Sequence, residues 1–324
     1  IILSRLEGFE LTSKVFYELL MCVSKMKANA SLFSPALFTR VLALLLRLRG
    51  PGASTLPLDT AQAVAEDLSC LARLHVSFRR LSEKEQQALW VRVHACLATP
   101  DPGPSDDQLA RTLWSLSAMG LQASQLPVSV LDGLQRCALQ VRRFQLQSLS
   151  LTLLAFSRFQ LPWHSLDPRL RQRLLQAFLE LPQPTPSPSQ AALRAREHSL
   201  SLLVLALGKM HVQVADLRQA LRRVEGQQKP SVLSLLFAQL RDVLRLCAAN
   251  SVEAQGTGTL LYGLARMGVT AQDLRRGGLA EELGEGLLAG QTASCAGAGA
   301  GAGNECFATA PPQALSNLVF ALGA

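Results

Sequence analysis

One position in this sequence returns with the same chemistry. Lys25, Arg73, Arg158, Lys209 and Arg266 each precede a two-residue pair equivalent to Met119-Gly120. Ala118 stands there in a sixth copy. A cation recurring once per repeat suits a row of contacts to phosphates. An Arg fork pairs with phosphate oxygens in two-pronged fashion, and Lys acts as a point charge. Earlier on the same helical face lie Arg111 and Trp114 in one copy and Tyr262 in another. Aromatic rings at such positions, if exposed, stack bases of single-stranded RNA. The candidate RNA-binding set is therefore Lys25, Arg73, Arg111, Trp114, Arg158, Lys209, Tyr262 and Arg266. A second explanation stays open at this point. A cation near a helix C-terminus is favoured by the macrodipole at about 0.3–1 kcal/mol, and an aromatic on that face also suits a core.

The elements that must carry these residues are repeats. RTLWSLSAMGL, ending at Leu121, has variants ending at Ala28, Val76, Leu161, Val212, Val269 and Ala324. The equivalents of Gly120 are Lys27, His75, Gln160, His211 and Gly268. Steps of roughly forty to nearly sixty residues suit a two-helix unit with variable loops. Leu113, Leu116 and Gly120 follow i, i+3, i+7 spacing, one face of a helix. The positions of Ser115 and Ser117 hold small residues throughout: Cys22/Ser24, Cys70/Ala72, Ala155/Ser157, Ala206/Gly208 and Gly263/Ala265. Small residues there let a neighbouring helix approach closely.

A second amphipathic segment follows each copy: Pro35–Leu48, Glu83–Leu97, Val128–Arg143, Pro168–Leu181, Val214–Ala248 and Gln272–Leu288. The fifth is too long for an ordinary helix, and Gly226 and Lys229-Pro230 are expected to divide it. No period-2 alternation bounded by turn residues appears. The expected fold is all-α, an α-solenoid of about seven stacked helical hairpins in one array over 1–324. The hairpins are expected near 11–48, 59–97, 106–143, 146–181, 190–248 and 254–288, with an incomplete one at 311–324. Residues 182–189, with prolines at alternate positions, form a Pro-rich loop, and 290–310 form an Ala/Gly-rich loop.

Composition bounds the function. The 324 residues are 48% hydrophobic and 17% charged, with net charge +8 carried by 26 Arg and 6 Lys. A basic, Arg-biased solenoid points to nucleic acid, and a codon bias toward Arg is the bland alternative. No apolar run reaches the roughly 18–20 residues of a membrane span. The chain opens on Ile1 rather than Met, so no targeting segment is judged from it. Seven Cys without a C-x-x-C pair read as buried structural thiols of a reducing compartment, Cys22 and Cys70 sharing one core position. The five His show no H-E-x-x-H and no zinc spacing with Cys. The Ala-Gly tract is no phosphate loop, because no Lys-Ser/Thr follows it. No catalytic signature, cofactor, metal site or small-molecule substrate is expected.

Three segments carry a family likeness: LARTLWSLSAMG (Leu109–Gly120), TGTLLYGLARMG (Thr257–Gly268) and LSNLVFALGA (Leu315–Ala324). They resemble the helix L-x-N-L-L-W-A-L-A-K-L-G of octotricopeptide and heptatricopeptide repeats. The same helix occurs in the related FAST-kinase-like and RAP-domain families. The resemblance implies an organellar protein, mitochondrial or alternatively of a plastid, that binds RNA in transcript maturation, translation or ribosome assembly. Several copies depart from the pattern at the Trp and Gly positions, and the spacing is irregular. These departures suit a protein holding one structured ribosomal RNA and neighbouring proteins better than one reading sequence base by base. A scaffold contacting only proteins is the alternative of a different class.

Overall fold

The computed structural model describes residues 13–26, 29–47, 60–98, 103–181, 189–219, 232–248 and 254–280. Among them lie thirteen α-helices, four short 3-10 turns and no strand. The fold is all-α. The seventh copy of the repeat, the Pro-rich run at 182–188, the Ala/Gly tract and the break around Gly226 and Pro230 lie outside the described residues.

The chain falls into two compact units, Ile1–Arg142 and Arg143–Ala324. In the first, α1 (Ser13–Lys25), α3 (Ala61–Arg73) and α5 (Asp106–Ala118) are the first helices of three hairpins. Their partners are α2 (Pro35–Leu45), α4 (Glu83–Leu97) and α6 (Val128–Gln140). α3 packs between α1 and α5, and α4 packs on α6. In the second unit α7 (Leu146–Arg158), α9 (Gln190–Lys209) and α12 (Ala254–Arg266) form the same layer, with α9 in the middle. α8 (Pro168–Leu179) packs on α11 (Val232–Ala248), and two short helices, α10 (Val214–Gln219) and α13 (Ala271–Arg276), complete the unit. Two helices, α10 and α11, thus occupy the long segment Val214–Ala248.

Local chemistry starts most of these helices. Ser34, Thr60, Ser105 and Ser189 each accept a backbone N–H from the first turn, at 3.2 Å. Such a cap satisfies a donor that has no partner within the helix. Ser82 and Glu85 form a reciprocal capping box at the start of α4, the Ser82 N–H donating to Glu85 at 2.7 Å. Pro35 and Pro168 sit in the first turn, where a missing N–H costs nothing.

The small positions do what their size allows, with one correction. Ser24 of α1 meets Cys70 of α3, and both are buried. Gly208 of α9 meets Gly263 and Arg266 of α12. The second small residue of one copy therefore faces the first small residue of the next. Cys22, expected in the core, is exposed instead. It occupies the position that faces a preceding copy, and no described helix precedes α1. Cys70, Cys96 and Cys137 are buried as expected.

Candidate nucleic-acid interface

Five of the first helices, α3, α5, α7, α9 and α12, end in the same local structure, and that structure turns the last helical residue outward. His75, Gly120, Gln160, His211 and Gly268 all have left-handed backbone, with φ of 56°, 82°, 60°, 59° and 73°. Around each, two backbone bonds close a Schellman motif. At α3, the Val76 N–H donates to the Leu71 carbonyl and the His75 N–H to the Ala72 carbonyl, both at 3.0 Å. The same pair recurs at α9 from Val212 and His211, and at α12 from Val269 and Gly268. Gly accepts this conformation freely, whereas a residue with a Cβ is strained by about 1–2 kcal/mol. His75, Gln160 and His211 carry that strain.

The residue between cation and left-handed residue is an apolar anchor. Leu74, Met119, Phe159, Met210 and Met267 are all fully buried. In four junctions the anchor's carbonyl also accepts a backbone N–H from the preceding repeat. Ala30 donates to Leu74 at 2.8 Å, Phe78 to Met119 at 2.9 Å, Trp163 to Met210 at 2.9 Å and Val214 to Met267 at 3.0 Å. These bonds satisfy carbonyls that a helix end would leave orphaned, and they tie one repeat to the next. With the anchor locked inward, its neighbours on both sides turn outward.

Arg73, Arg158 and Lys209 are accordingly exposed, each the last residue of its helix. Lys25 ends α1 and is exposed too, but its anchor position holds Met26, itself 71% exposed. Arg266 ends α12 half-buried, with Nη2 3.5 Å from His211 of the preceding repeat. Lys25 and Arg73 lie on the packed pair α1 and α3. Arg158, Lys209 and Arg266 lie on the packed trio α7, α9 and α12. Among the described residues, none of these five sits in an ion pair. Other arginines do: Arg92 and Arg47 with Asp67, Arg111 with Asp107, and Arg173 with Glu180.

The remaining predicted residues stand apart from these five. The Arg111 Nε donates to Asp107 at 2.9–3.0 Å, one turn back on α5. Trp114 and Tyr262 are half-buried, so neither presents a whole ring face to solvent. Tyr262 lies one turn before Arg266, and Trp114 one turn before the exposed Ala118.

A buried polar knot in the first unit escaped the sequence reading. Arg92 of α4, 3% exposed, donates from Nη2 to the Asp67 carboxylate of α3 at 2.7 Å and from Nη1 to the Leu45 carbonyl at the end of α2. Arg47 lies 3.9 Å from the same carboxylate oxygen. Burial lifts the Asp67 carboxyl above the usual range while Arg92 pulls it back. Burial, and then the nearby Asp67 charge, raises the Tyr17 phenol. The knot joins the two helices of one hairpin, through Asp67 and Arg92, to the end of α2 in the hairpin before, a pairing that spacing along the chain does not reveal. Its only signal is Asp67 on the apolar face beside Val64, Leu68 and Leu71.

Among the described residues, no group of three or more His, Cys, Asp or Glu is placed to hold a metal ion. No helix there is long and apolar enough to cross a membrane. A scan against protein-family models and a search of curated proteins find no match to this chain.

Proposed function

We propose that the chain is a non-enzymatic RNA-binding helical-repeat protein of an organelle, a subunit of a mitochondrial ribosome that holds ribosomal RNA and neighbouring proteins. One observation carries the RNA part of this reading. Five cations at one repeat position, four of them exposed and Arg266 half-buried, have no carboxylate partner among the described residues, while four other arginines are paired. Unpaired cations repeated at successive helix ends are suited to neutralise phosphates. The organellar and ribosomal setting rests on the resemblance of the repeat.

A protein scaffold without RNA is the second reading. It is favoured by Met26 and Leu32, 71% and 68% exposed, close in sequence to Lys25. Apolar side chains so exposed suit a protein neighbour.

Crosslinking of the tagged protein in cells, with sequencing of bound RNA and a density-gradient profile, tests both. Crosslinks to organellar ribosomal RNA with co-migration in a ribosomal particle are expected. Crosslinks to a messenger outside that particle would make the chain a transcript-maturation or translation factor. Absence of RNA above background would leave the scaffold.

A further inference from the structure

Where α9 meets α12, the left-handed residue of one repeat touches the cation of the next. Nη2 of Arg266 lies 3.5 Å from Nδ1 of His211 and 3.5 Å from Nε2. The two ring nitrogens point apart in the ring plane, so no in-plane approach serves both at this distance. The guanidinium nitrogen therefore lies against the imidazole off both lone-pair directions, in contact with the ring as a whole. Held by one end, the guanidinium keeps its other N–H donors for a further partner. Asp216, whose carboxylate accepts the Gln213 N–H at 2.9 Å, is the nearest acid along His211's own segment, and it forms no ion pair with Arg266.

His211 is exposed and has φ of 59°, whereas Gly120 and Gly268 fill the equivalent position at no conformational cost. His75 and Gln160 carry the same strain, and it is the contact with Arg266 that sets His211 apart.

We propose that His211 and Arg266 form one composite phosphate-binding site at this repeat junction. Arg266 is the binding residue, and His211 is a positioning residue whose ring fixes the plane of the guanidinium. The free edge of that plane takes two oxygens of an RNA phosphate. The close approach of Gly208 to Arg266 brings the cation against the preceding repeat and makes the contact possible. This proposal rests on the RNA-binding reading and deepens it: the junction holds backbone phosphate rather than a base. The junction before it pairs Gln160 with Lys209, an amide with an ammonium, and has no ring to hold its cation.

The test is a binding titration of the full chain against mixed-sequence single-stranded RNA over a salt series, with thermal melting beside it. Arg266→Ala is expected to weaken binding about tenfold and lower the salt slope by about one. His211→Gly relieves the backbone strain, so its melting temperature stays level or rises, yet its affinity falls several-fold. His211→Phe keeps a flat ring and restores affinity. The double variant His211→Gly/Arg266→Ala binds no more weakly than Arg266→Ala alone, because the ring acts through the guanidinium. Wild-type affinity in His211→Gly, or losses that multiply in the double variant, would overturn the composite site. Weakened binding in Arg158→Ala and Lys209→Ala would then still leave the RNA reading in place. If the wild-type chain binds no RNA, the RNA reading fails and this site with it.

Discussion

Gly208 and Gly263 face each other so closely that a Cβ on Gly208 would lie 2.6 Å from the Gly263 carbonyl oxygen and 2.9 Å from the Arg266 Cβ. A Cβ on Gly263 would lie 2.7 Å from the Val204 carbonyl. Backbone cannot move aside as a flexible side chain can. Gly208→Ala and Gly263→Ala should each destabilise the fold by about 1–3 kcal/mol, the range for overpacking. Urea unfolding monitored by helical signal measures it, and a wild-type midpoint in both variants would contradict the close contact.

Gly120 separates backbone strain from crowding. Its φ is 82°, and a Cβ there would meet nothing within 4 Å. Gly120→Ala should therefore cost about 1–2 kcal/mol through conformation alone. Gln160→Gly, at the equivalent position of α7, should move stability the other way or leave it level. Equal effects of the two changes on the melting temperature would sink this account.

The Arg92–Asp67 pair is dry, and its partners cannot be recovered by water once one is removed. Arg92→Leu should cost about 3–5 kcal/mol by stranding the Asp67 carboxylate. Replacing both, with Arg92→Leu and Asp67→Leu together, should regain most of that loss. Chemical denaturation of the two single variants and the double variant yields the coupling directly. A double variant as unstable as the sum of the singles would show that the two residues act independently.

Burial pushes the Cys70 thiol up to about 11, and Cys96 likewise. A thiol whose folded value lies above its unfolded value favours the fold while it stays protonated. That contribution is whole below about pH 8.5, the unfolded range, and is lost as pH rises through about 11. It is of order 3 kcal/mol per thiol, and the raised Tyr17 phenol acts in the same direction. Stability against urea should thus fall steeply above pH 9, less so in Cys70→Ala. In the native state at pH 8, a maleimide should label the exposed Cys22 first and spare Cys70 and Cys96. Equal labelling of all three would contradict the burial.

Ala118 is the one described copy of this position without a cation. It is exposed at the end of α5, where Lys25, Arg73, Arg158, Lys209 and Arg266 hold cations in their own helices. Ala118→Arg should tighten RNA binding at low salt and steepen the salt dependence by about one. It should also raise helix stability by about 0.3–1 kcal/mol through the macrodipole. A stability gain without any change in RNA affinity would favour the purely structural role of this position.

Periodicity along the chain was enough to settle helix content, the alternation of first and second helices, and the placement of the cations at helix ends. These follow from local rules. Apolar residues at helical spacing demand a buried face. Ser and Thr caps mark helix starts, and Gly120 and Gly268 mark the left-handed turn. That turn extends to His75, Gln160 and His211 because the same anchor and small residues precede them. The partners of each exposed or buried polar group were decided only by tertiary structure. Asp67 and Arg92 look like ordinary surface charges until α3 and α4 close on one another. The Arg111–Asp107 pair is the local exception, one turn apart on α5, whereas the contact of Arg266 with His211 requires two repeats brought together by Gly208 and Gly263. Cys22 is exposed although it shares its repeat position with the buried Cys70, which no pattern within α1 can report. A side chain's local spacing fixes which way it leaves its own helix. What it meets there depends on which helix packs against it, and that is a property of the assembled repeats.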